Sequence, residues 1–273
     1  MKSKNISYQS SKLLEQLIKN KRRFFSISDA IEVFPGNKKK TTYELINNMI
    51  KRGLVLRIKD GLYHIIPYEA DSSTYFPNWH LVGESLVKTR EYYIGFYSAL
   101  DIHGLIIQPS LKEQIVTKEQ VKPKNCTIKK RDFEFITLNN QRFFGFKKVW
   151  INDYEKVNCS DIEKSILDCL YKPAYAGGIT EIAKALFRCR KNIDEQQLLE
   201  YIFRYKVKAV NKRIGYLLSN LQLLPAFTDK LKSTITPSYI LLDPSLPPEG
   251  KSHSEWRIND NVGIENILES IKT

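Results

Sequence analysis

The 273-residue sequence has few of the residues and motifs that mark common enzymes and secreted proteins. Its four cysteines, Cys126, Cys159, Cys169 and Cys189, form no CxxC pair and have no nearby histidine pair. This spacing predicts neither a zinc site nor a disulfide framework. No GxGxxG, GxxxxGK[ST], GxSxG or HExxH motif is present either. We therefore predict no metal, no cofactor and no catalytic function.

Long apolar runs are absent as well. No segment approaches the roughly 20 consecutive apolar residues that a transmembrane helix needs. The N-terminal residues MKSKNISYQSSK are polar and lack the apolar centre of a signal peptide. The expectation is a cytoplasmic protein that does not associate with membranes. At 42% hydrophobic residues, the chain can form two domains that each have a core.

The formal net charge of +13 is unevenly distributed along the chain. Residues 1–67 contain 14 Lys and Arg against 5 Asp and Glu, whereas residues 68–160 contain 13 against 11 and residues 161–273 contain 16 against 14. An even spread of lysine can simply solvate a surface. Concentration in the first quarter instead indicates a polyanionic partner for that segment.

The segment from Lys38 to Pro67, KKKTTYELINNMIKRGLVLRIKDGLYHIIP, explains this concentration. Four of its apolar residues share one side of a predicted α-helix: Leu45, Ile46, Met49 and Ile50. Gly53 stands where a helix C-terminal glycine belongs, and a Lys-Asp-Gly turn follows between two short alternating strands. A helix followed by a basic hairpin is typical of the second half of a winged helix-turn-helix, whose helix enters the DNA major groove.

Two further helices are predicted before this segment. Leucine and isoleucine recur at helical spacing from Tyr8 to Lys19, and Ser26 or Ser28 can cap a second helix that stops at Pro35-Gly36-Asn37. The order of helix, helix, turn, helix and hairpin predicts a winged helix-turn-helix DNA-binding domain over residues 1–67. Within the hairpin, we expect Tyr63 in the core and His64 on the outside without a role.

The basic and polar residues of this domain are the candidate DNA contacts. Cations at the start of a helix oppose the helix dipole, and an external phosphate would relieve that conflict. Asn47 and Tyr43 can reach base edges, whereas Arg57 and Lys59 can contact phosphate or the minor groove. A merely solvated surface is the alternative for each residue. The full predicted set is Lys21, Arg22, Arg23, Lys38, Lys39, Lys40, Thr42, Tyr43, Asn47, Lys51, Arg57 and Lys59.

The rest of the chain predicts an α+β fold. Residues 68–80 are irregular and are interpreted as a linker, and residues 81–273 as a C-terminal mixed α/β domain. Between residues 114 and 151, β-rich runs are separated by turn signals, which favours a mostly antiparallel sheet. The last third is predicted to be helical, with Ser160 and Glu163 forming a capping box at the start of DIEKSILDCLYK.

Three segments of the sequence resemble one protein family. They are YYIGFYSALDIHGL (Tyr92–Leu105), DIEKSILDCLYKPAYAGGITEIAKAL (Asp161–Leu186) and the hairpin that ends GLYHIIP. Together they are similar to the AbiEi family of antitoxins and transcriptional regulators, from AbiE-type abortive-infection (type IV toxin-antitoxin) systems. The residues of the second segment that carry the resemblance are Asp161, Glu163, Lys164, Asp168, Gly177 and Gly178.

The resemblance implies a phage-defence antitoxin with two activities. Its winged helix would bind operator inverted repeats in duplex DNA and repress its own operon. Its C-terminal domain would counteract a nucleotidyltransferase-like toxin, without requiring a stable complex with it. The alternative is a stand-alone winged-helix transcriptional regulator whose C-terminal domain senses a ligand or a partner.

A nuclease is the enzyme hypothesis with most support from the residues. Asp132 and Glu134 would share one face of a strand, with Lys148 nearby. No further carboxylate is placed beside them by sequence. Asp161, Glu163 and Asp168 are separated around their predicted helix and are not expected to converge, which disfavours a metal or general-acid site there.

Overall fold

The computed structural model of the protein describes residues 6–87 and 90–272. They form an α+β protein that divides into two compact units, Met1–Leu86 and Val87–Thr273. The elements of the first unit are α1 (Tyr8–Lys19), β1 (Phe24–Ser26), α2 (Ile27–Val33), α3 (Lys39–Lys51), β2 (Val55–Lys59), β3 (Leu62–Ile65) and α4 (Trp79–Leu86).

The helices of the first unit begin and end where the sequence indicates. The predicted span of α1, Tyr8–Lys19, is confirmed, and Leu13 and Leu17 face the core. At α2, Ser26 and Asp29 form a reciprocal capping box, which satisfies two backbone N–H groups. Leu45, Ile46 and Met49 of α3 are buried as predicted. A left-handed Gly53 then ends α3, because its positive φ of 70° favours a residue without a side chain.

The predicted β2–β3 hairpin gains a third strand that the sequence analysis did not predict. β1 pairs with β3 in antiparallel register, Phe25 opposite Tyr63, and the sheet order is β1-β3-β2. Phe25 and Tyr63 are both buried, with ring centroids 5.5 Å apart. A three-residue strand contains too little alternation to be recognised without its partner.

Residues 68–86 belong to the first unit, so the sequence-based boundaries at residues 67 and 80 differ from the observed division after Leu86. The side chain of Ser72 lies where a Cβ on Gly53 would be, and the Tyr75 ring stacks on His64 with centroids 5.8 Å apart. The predicted linker therefore packs on the β-sheet. Tyr75 packs on His64 there, whereas Tyr68 is 70% exposed.

His64 was expected to face outward without a role, and that expectation is wrong. Its side chain is only 3% exposed, lies 4.3 Å from the Phe24 ring centroid, and has Nε2 3.0 Å from the Tyr75 hydroxyl. Burial, together with the positive charge of Arg23, lowers the pKa of His64 to about 4. The imidazole is therefore neutral in the folded protein at pH 7.

We expect the stability of the first unit to fall as the pH decreases from about 6.5 to 4. In that window the unfolded histidine binds a proton, while the folded histidine, with its pKa near 4, does not. The full effect is about 3 kcal/mol of unfolding free energy. Urea titrations at pH 7.5 and 4.5 measure it, with His64→Phe as the comparison. Equal pH dependence in the two proteins would contradict a neutral, buried His64.

The second unit contains a mixed sheet, mostly antiparallel, and a helical C-terminal part. The strand order of the main sheet is β6-β7-β5-β4-β9-β8, with β5–β7 and β4–β9 parallel and the remaining pairs antiparallel. Its elements are β4 (Tyr92–Ile94), α5 (Phe96–Ile102), β5 (Lys112–Thr117), β6 (Asn125–Ile128), β7 (Arg131–Thr137), β8 (Phe146–Trp150) and β9 (Lys156–Ser160).

Helices then cover one large core of this unit. They are α6 (Ile162–Tyr171), α7 (Ile179–Cys189), α8 (Glu195–Tyr205), α9 (Lys208–Asn220), α10 (Pro225–Lys232) and α11 (Ile264–Lys272). A small sheet of β10 (Ile240–Leu241), β11 (Lys251–His253) and β12 (Ile258–Asp260) packs beside them in the order β10-β12-β11. α6 is buried along most of its length, which places its polar residues inside the protein.

The capping box predicted for α6 is wrong. β9 extends to Ser160, so the helix begins one residue later and Asp161 is the N-cap, accepting a hydrogen bond from the Lys164 backbone N–H at 2.9 Å. Glu163 instead accepts from the backbone N–H of Asp194 at 2.8 Å. Asp161 is itself extended, with φ −67° and ψ 175°, so it and not Ser160 is the last residue before the helix and therefore the cap.

Across residues 6–87 and 90–272, every helix is too short or too polar to cross a lipid bilayer.

Candidate functional site

The exposed side of α3 presents a row of basic and polar residues. Lys40, Asn47 and Lys51 lie on one stripe of the helix and are exposed, and Tyr43 beside them is partly exposed. Lys38 is the N-cap residue but provides no capping hydrogen bond, and the first turn contains no acidic residue. The positive end of the helix dipole is thus surrounded by cations, which local interactions do not stabilise.

These lysines are free to bind an external anion. Within the described ranges, no ion pair is formed by Lys38, Lys39, Lys40, Lys51 or Lys59. Thr42, predicted as a DNA contact on the same helix, is fully buried on the opposite side. That assignment is corrected, because α3 turns Thr42 towards the core together with Leu45 and Ile46.

The hairpin contributes a second basic element. Arg57 and Lys59 are exposed on β2 and Ile58 between them is buried, as strand alternation requires. Arg57 forms an ion pair with Asp60 in the turn, an interaction that sequence analysis did not identify. The carboxylate is 94% exposed, so an arriving phosphate can replace it at little cost.

The basic residues that follow α1, Lys21, Arg22 and Arg23, differ in how available they are to bind DNA. Lys21 is exposed and has a positive φ of 56°, and Arg23 is exposed. Arg22 instead pairs with Asp29 at 2.7 Å and with Glu32 at 2.8 Å, and a hydrogen bond to Glu32 raises its pKa. Its charge is therefore used within the unit, which weakens the prediction that it contacts DNA.

The family-like segment of the second unit has a buried ion pair. Lys164 and Asp168 are one helical turn apart on α6, are both fully buried, and are in direct contact. The Asp168 carboxylate also accepts hydrogen bonds from the hydroxyls of Tyr93 at 2.9 Å and Tyr205 at 2.8 Å. Burial lowers the pKa of Lys164, although the Asp168 charge opposes that shift.

Asp161 and Glu163 converge, contrary to the expectation from helical angles. The Gln197 side-chain amide of α8 donates to Asp161 at 3.2 Å and to Glu163 at 3.1 Å, and the Tyr201 hydroxyl donates to Asp161 at 2.8 Å. Burial raises the pKa of Asp161. The expectation was wrong because Asp161 is the N-cap residue and has an extended backbone, so the spacing of 100° per residue does not apply to it. Asp168 lies apart, further along α6, where it contacts Lys164.

Gly177 and Gly178 form the connection into α7. Gly177 has a φ of 73° and ends the 3₁₀ turn Pro173–Ala176, and Gly178 has a φ of 92° immediately before the helix. Asp243 accepts from the first helical N–H, that of Ile179, at 3.2 Å. These glycines therefore serve backbone geometry.

The residues of the nuclease hypothesis have partners in the structure. Asp132 accepts from the Thr127 hydroxyl at 2.7 Å, and Glu134 accepts from the Gln114 amide at 3.2 Å. In the part of the chain that the structure describes, no three His, Cys, Asp or Glu side chains are grouped so as to hold a metal ion.

Comparison with known proteins shows a similarity of fold. No protein-family model matches the chain, and no curated protein matches it in sequence. The chain is similar in structure to the RV2827C protein from Mycobacterium tuberculosis, known from a crystal structure. The TM-score is 0.71 at 12% sequence identity, and the alignment covers 100% of this chain and 97% of that one. At this identity, the similarity concerns the fold alone.

Proposed function

We propose that the first unit is a winged helix-turn-helix that binds duplex DNA. The observation that carries this proposal is the set of exposed lysines without ion pairs at the start of α3, Lys38, Lys39 and Lys40. The order α1-β1-α2-α3-β2-β3, with a three-stranded sheet, supports the same proposal.

In the proposed complex, α3 enters the major groove. The lysines at its start and Lys51 at its end contact phosphates, and these contacts provide affinity without sequence information. Asn47 in the middle of the exposed stripe reaches base edges, where a carboxamide can pair with adenine in two hydrogen bonds. Arg57 and Lys59 of the hairpin contact the flanking backbone.

We further propose that the protein is an AbiEi-like antitoxin that represses its own operon and counteracts a nucleotidyltransferase-type toxin. The support is the sequence resemblance of Tyr92–Leu105, of Asp161–Leu186 and of the hairpin that ends GLYHIIP. Asp161, Glu163, Lys164 and Asp168 all have hydrogen-bond partners inside the second unit. Their role in this proposal is to hold the antitoxin domain in shape rather than to perform chemistry.

Alanine substitutions should separate affinity from sequence preference. We expect Lys40→Ala and Arg57→Ala to weaken binding to operator and scrambled duplexes alike, and to reduce the salt dependence by about one released counterion each. Asn47→Ala should mainly reduce operator preference, by about 1–3 kcal/mol. Gel-shift titrations at several salt concentrations measure both quantities. Lys230→Ala makes the same charge change at an exposed lysine on α10 of the second unit; it is the control and should not weaken binding.

The same variants test the antitoxin proposal when they are co-expressed with the gene adjacent in the operon. Lys40→Ala should lose repression of a reporter and still restore growth, because neutralisation depends on the second unit.

Unchanged affinity of all three DNA-face variants would exclude the proposed DNA surface. Growth arrest that persists with the unmodified protein would favour a stand-alone regulator.

A further inference from the structure

Arg142, in the second unit, is an arginine without an acidic partner. Its guanidinium carbon lies 4.9 Å from the ring centroid of Tyr171 and 5.8 Å from that of Tyr205. Its Nε is buried and has no hydrogen-bond partner, and its side chain forms no ion pair with any described residue. One of the five guanidinium N–H donors, that of Nε, is thus left unsatisfied inside the protein, which is costly, while the side chain as a whole is half-buried. The contacts with the two rings do not satisfy this donor.

Lys172 brings a second cation to the same tyrosine. Its ammonium lies 5.7 Å from the Tyr171 centroid and 5.5 Å from the Tyr175 centroid, at the C-terminal end of α6. Burial lowers the pKa of Lys172, and the nearby charges of Lys124 and Arg142 lower it further, whereas Asp168 opposes the shift. The Arg142 and Lys172 cations thus share the Tyr171 ring, although like charges repel each other.

The neighbouring carboxylates of the described chain form no ion pair with these cations. Asp168 is occupied by Lys164 and by two tyrosine hydroxyls, and Glu134 is held by the Gln114 amide. Neither carboxylate forms an ion pair with Arg142, Lys124 or Lys172 in the described chain. Arg142 and Lys172 therefore remain without an ion-pair partner among the described residues.

We propose that Arg142 and Lys172, which both lie against the Tyr171 ring, bind the phosphate groups of a nucleotide or of RNA. Guanidinium and ammonium groups match phosphate oxygens in charge-assisted hydrogen bonds, and a planar guanidinium can donate two parallel ones. Two cations without ion-pair partners favour a ligand with more than one negative charge over a single carboxylate. The site lies in the second unit, and it does not depend on the DNA-binding face proposed for the first.

The proposal is tested on the full chain with three probes: pyrophosphate, ATP and a 12-nucleotide single-stranded RNA. Isothermal titration should show that the unmodified protein binds at least one of them, more weakly as salt increases. Arg142→Gln and Lys172→Gln should each lower that affinity by about tenfold. Preference for ATP and pyrophosphate identifies a free nucleotide as the ligand, and preference for the oligonucleotide identifies RNA.

Two control variants show whether the probes bind at Arg142 and Lys172. Arg190→Gln makes the same charge change at an arginine 4.0 Å from the Phe187 ring centroid, and it should bind all probes like the unmodified protein. Lys40→Ala should lose affinity for duplex DNA but keep the binding that Arg142→Gln removes. If Arg142→Gln does not fold, as judged by circular dichroism, Lys172→Gln decides the test. Absence of probe binding, or equal binding by the Arg190→Gln and Lys172→Gln variants, would overturn the proposal.

Discussion

Replacing Asp168 by asparagine should destabilise the second unit by about 3–5 kcal/mol, because it leaves the Lys164 ammonium buried without a counterion. Both side chains are fully buried, so water cannot replace the lost carboxylate. The hydroxyls of Tyr93 and Tyr205 would also exchange a charged acceptor for a neutral one. Urea unfolding followed by far-ultraviolet circular dichroism measures the change in free energy of unfolding.

Asp229→Asn is the matched control for this variant. Asp229 pairs with Lys232 on α10 at 3.1 Å, but its side chain is 71% exposed, and a surface pair of this kind contributes less than about 1 kcal/mol. A double-mutant cycle with Lys164→Met should give a coupling energy of about 0.5–3 kcal/mol. If Asp168→Asn costs no more than Asp229→Asn, the buried pair does not stabilise the fold in the way described.

Replacing Trp256 by alanine should cost about 3–5 kcal/mol of unfolding free energy, as expected for a large aromatic side chain lost from a core. The indole is 1% exposed and donates to the Ser219 hydroxyl at 3.1 Å. It packs so closely on α9 that a Cβ at Gly215 would overlap its six-membered ring. The glycine thus provides the space that the indole fills, and alanine at position 256 would leave a cavity beside it.

Trp150→Ala is the control for Trp256→Ala. Trp150 is 58% exposed at the end of β8, where the Lys156 ammonium lies 4.1 Å from its ring centroid. An exposed cation–π contact contributes about 0.5–1 kcal/mol, so the two tryptophans should differ by at least about 2 kcal/mol. Chemical unfolding at equal protein concentration compares them. Similar losses would mean that the site around Trp256 collapses and fills the cavity.

The buried ion pair also bears on the proposed antitoxin domain. Lys164 and Asp168 lie in the segment whose sequence resembles the AbiEi family, and their partners Tyr93 and Tyr205 come from β4 and α8. The pair therefore joins the sheet to two helices. Loss of antitoxin activity after mutation of either residue has to be compared with the loss of folding before a direct role is assigned.

The sequence by itself determined the local elements of the first unit. α1 and the buried side of α3 follow from apolar residues repeating every three to four positions, and the β2–β3 turn follows from Lys59-Asp60-Gly61. The charge excess of residues 1–67 was equally predictable, because it requires only a count of the charged residues. These features depend on residues that are close together in the chain, so the sequence alone is sufficient to predict them.

Only the tertiary structure decided which distant residues meet. Gln197 joins Asp161 to Glu163 from more than 30 positions away, and Arg142 reaches the Tyr171 ring. His64 is neutral because residues around Tyr75 cover it. Periodicity shows which face of an element is buried but not what it is buried against. Hydrogen bonds, ion pairs and pKa shifts in the interior depend on the residues that cover the buried face, because these residues provide the partner groups and exclude water.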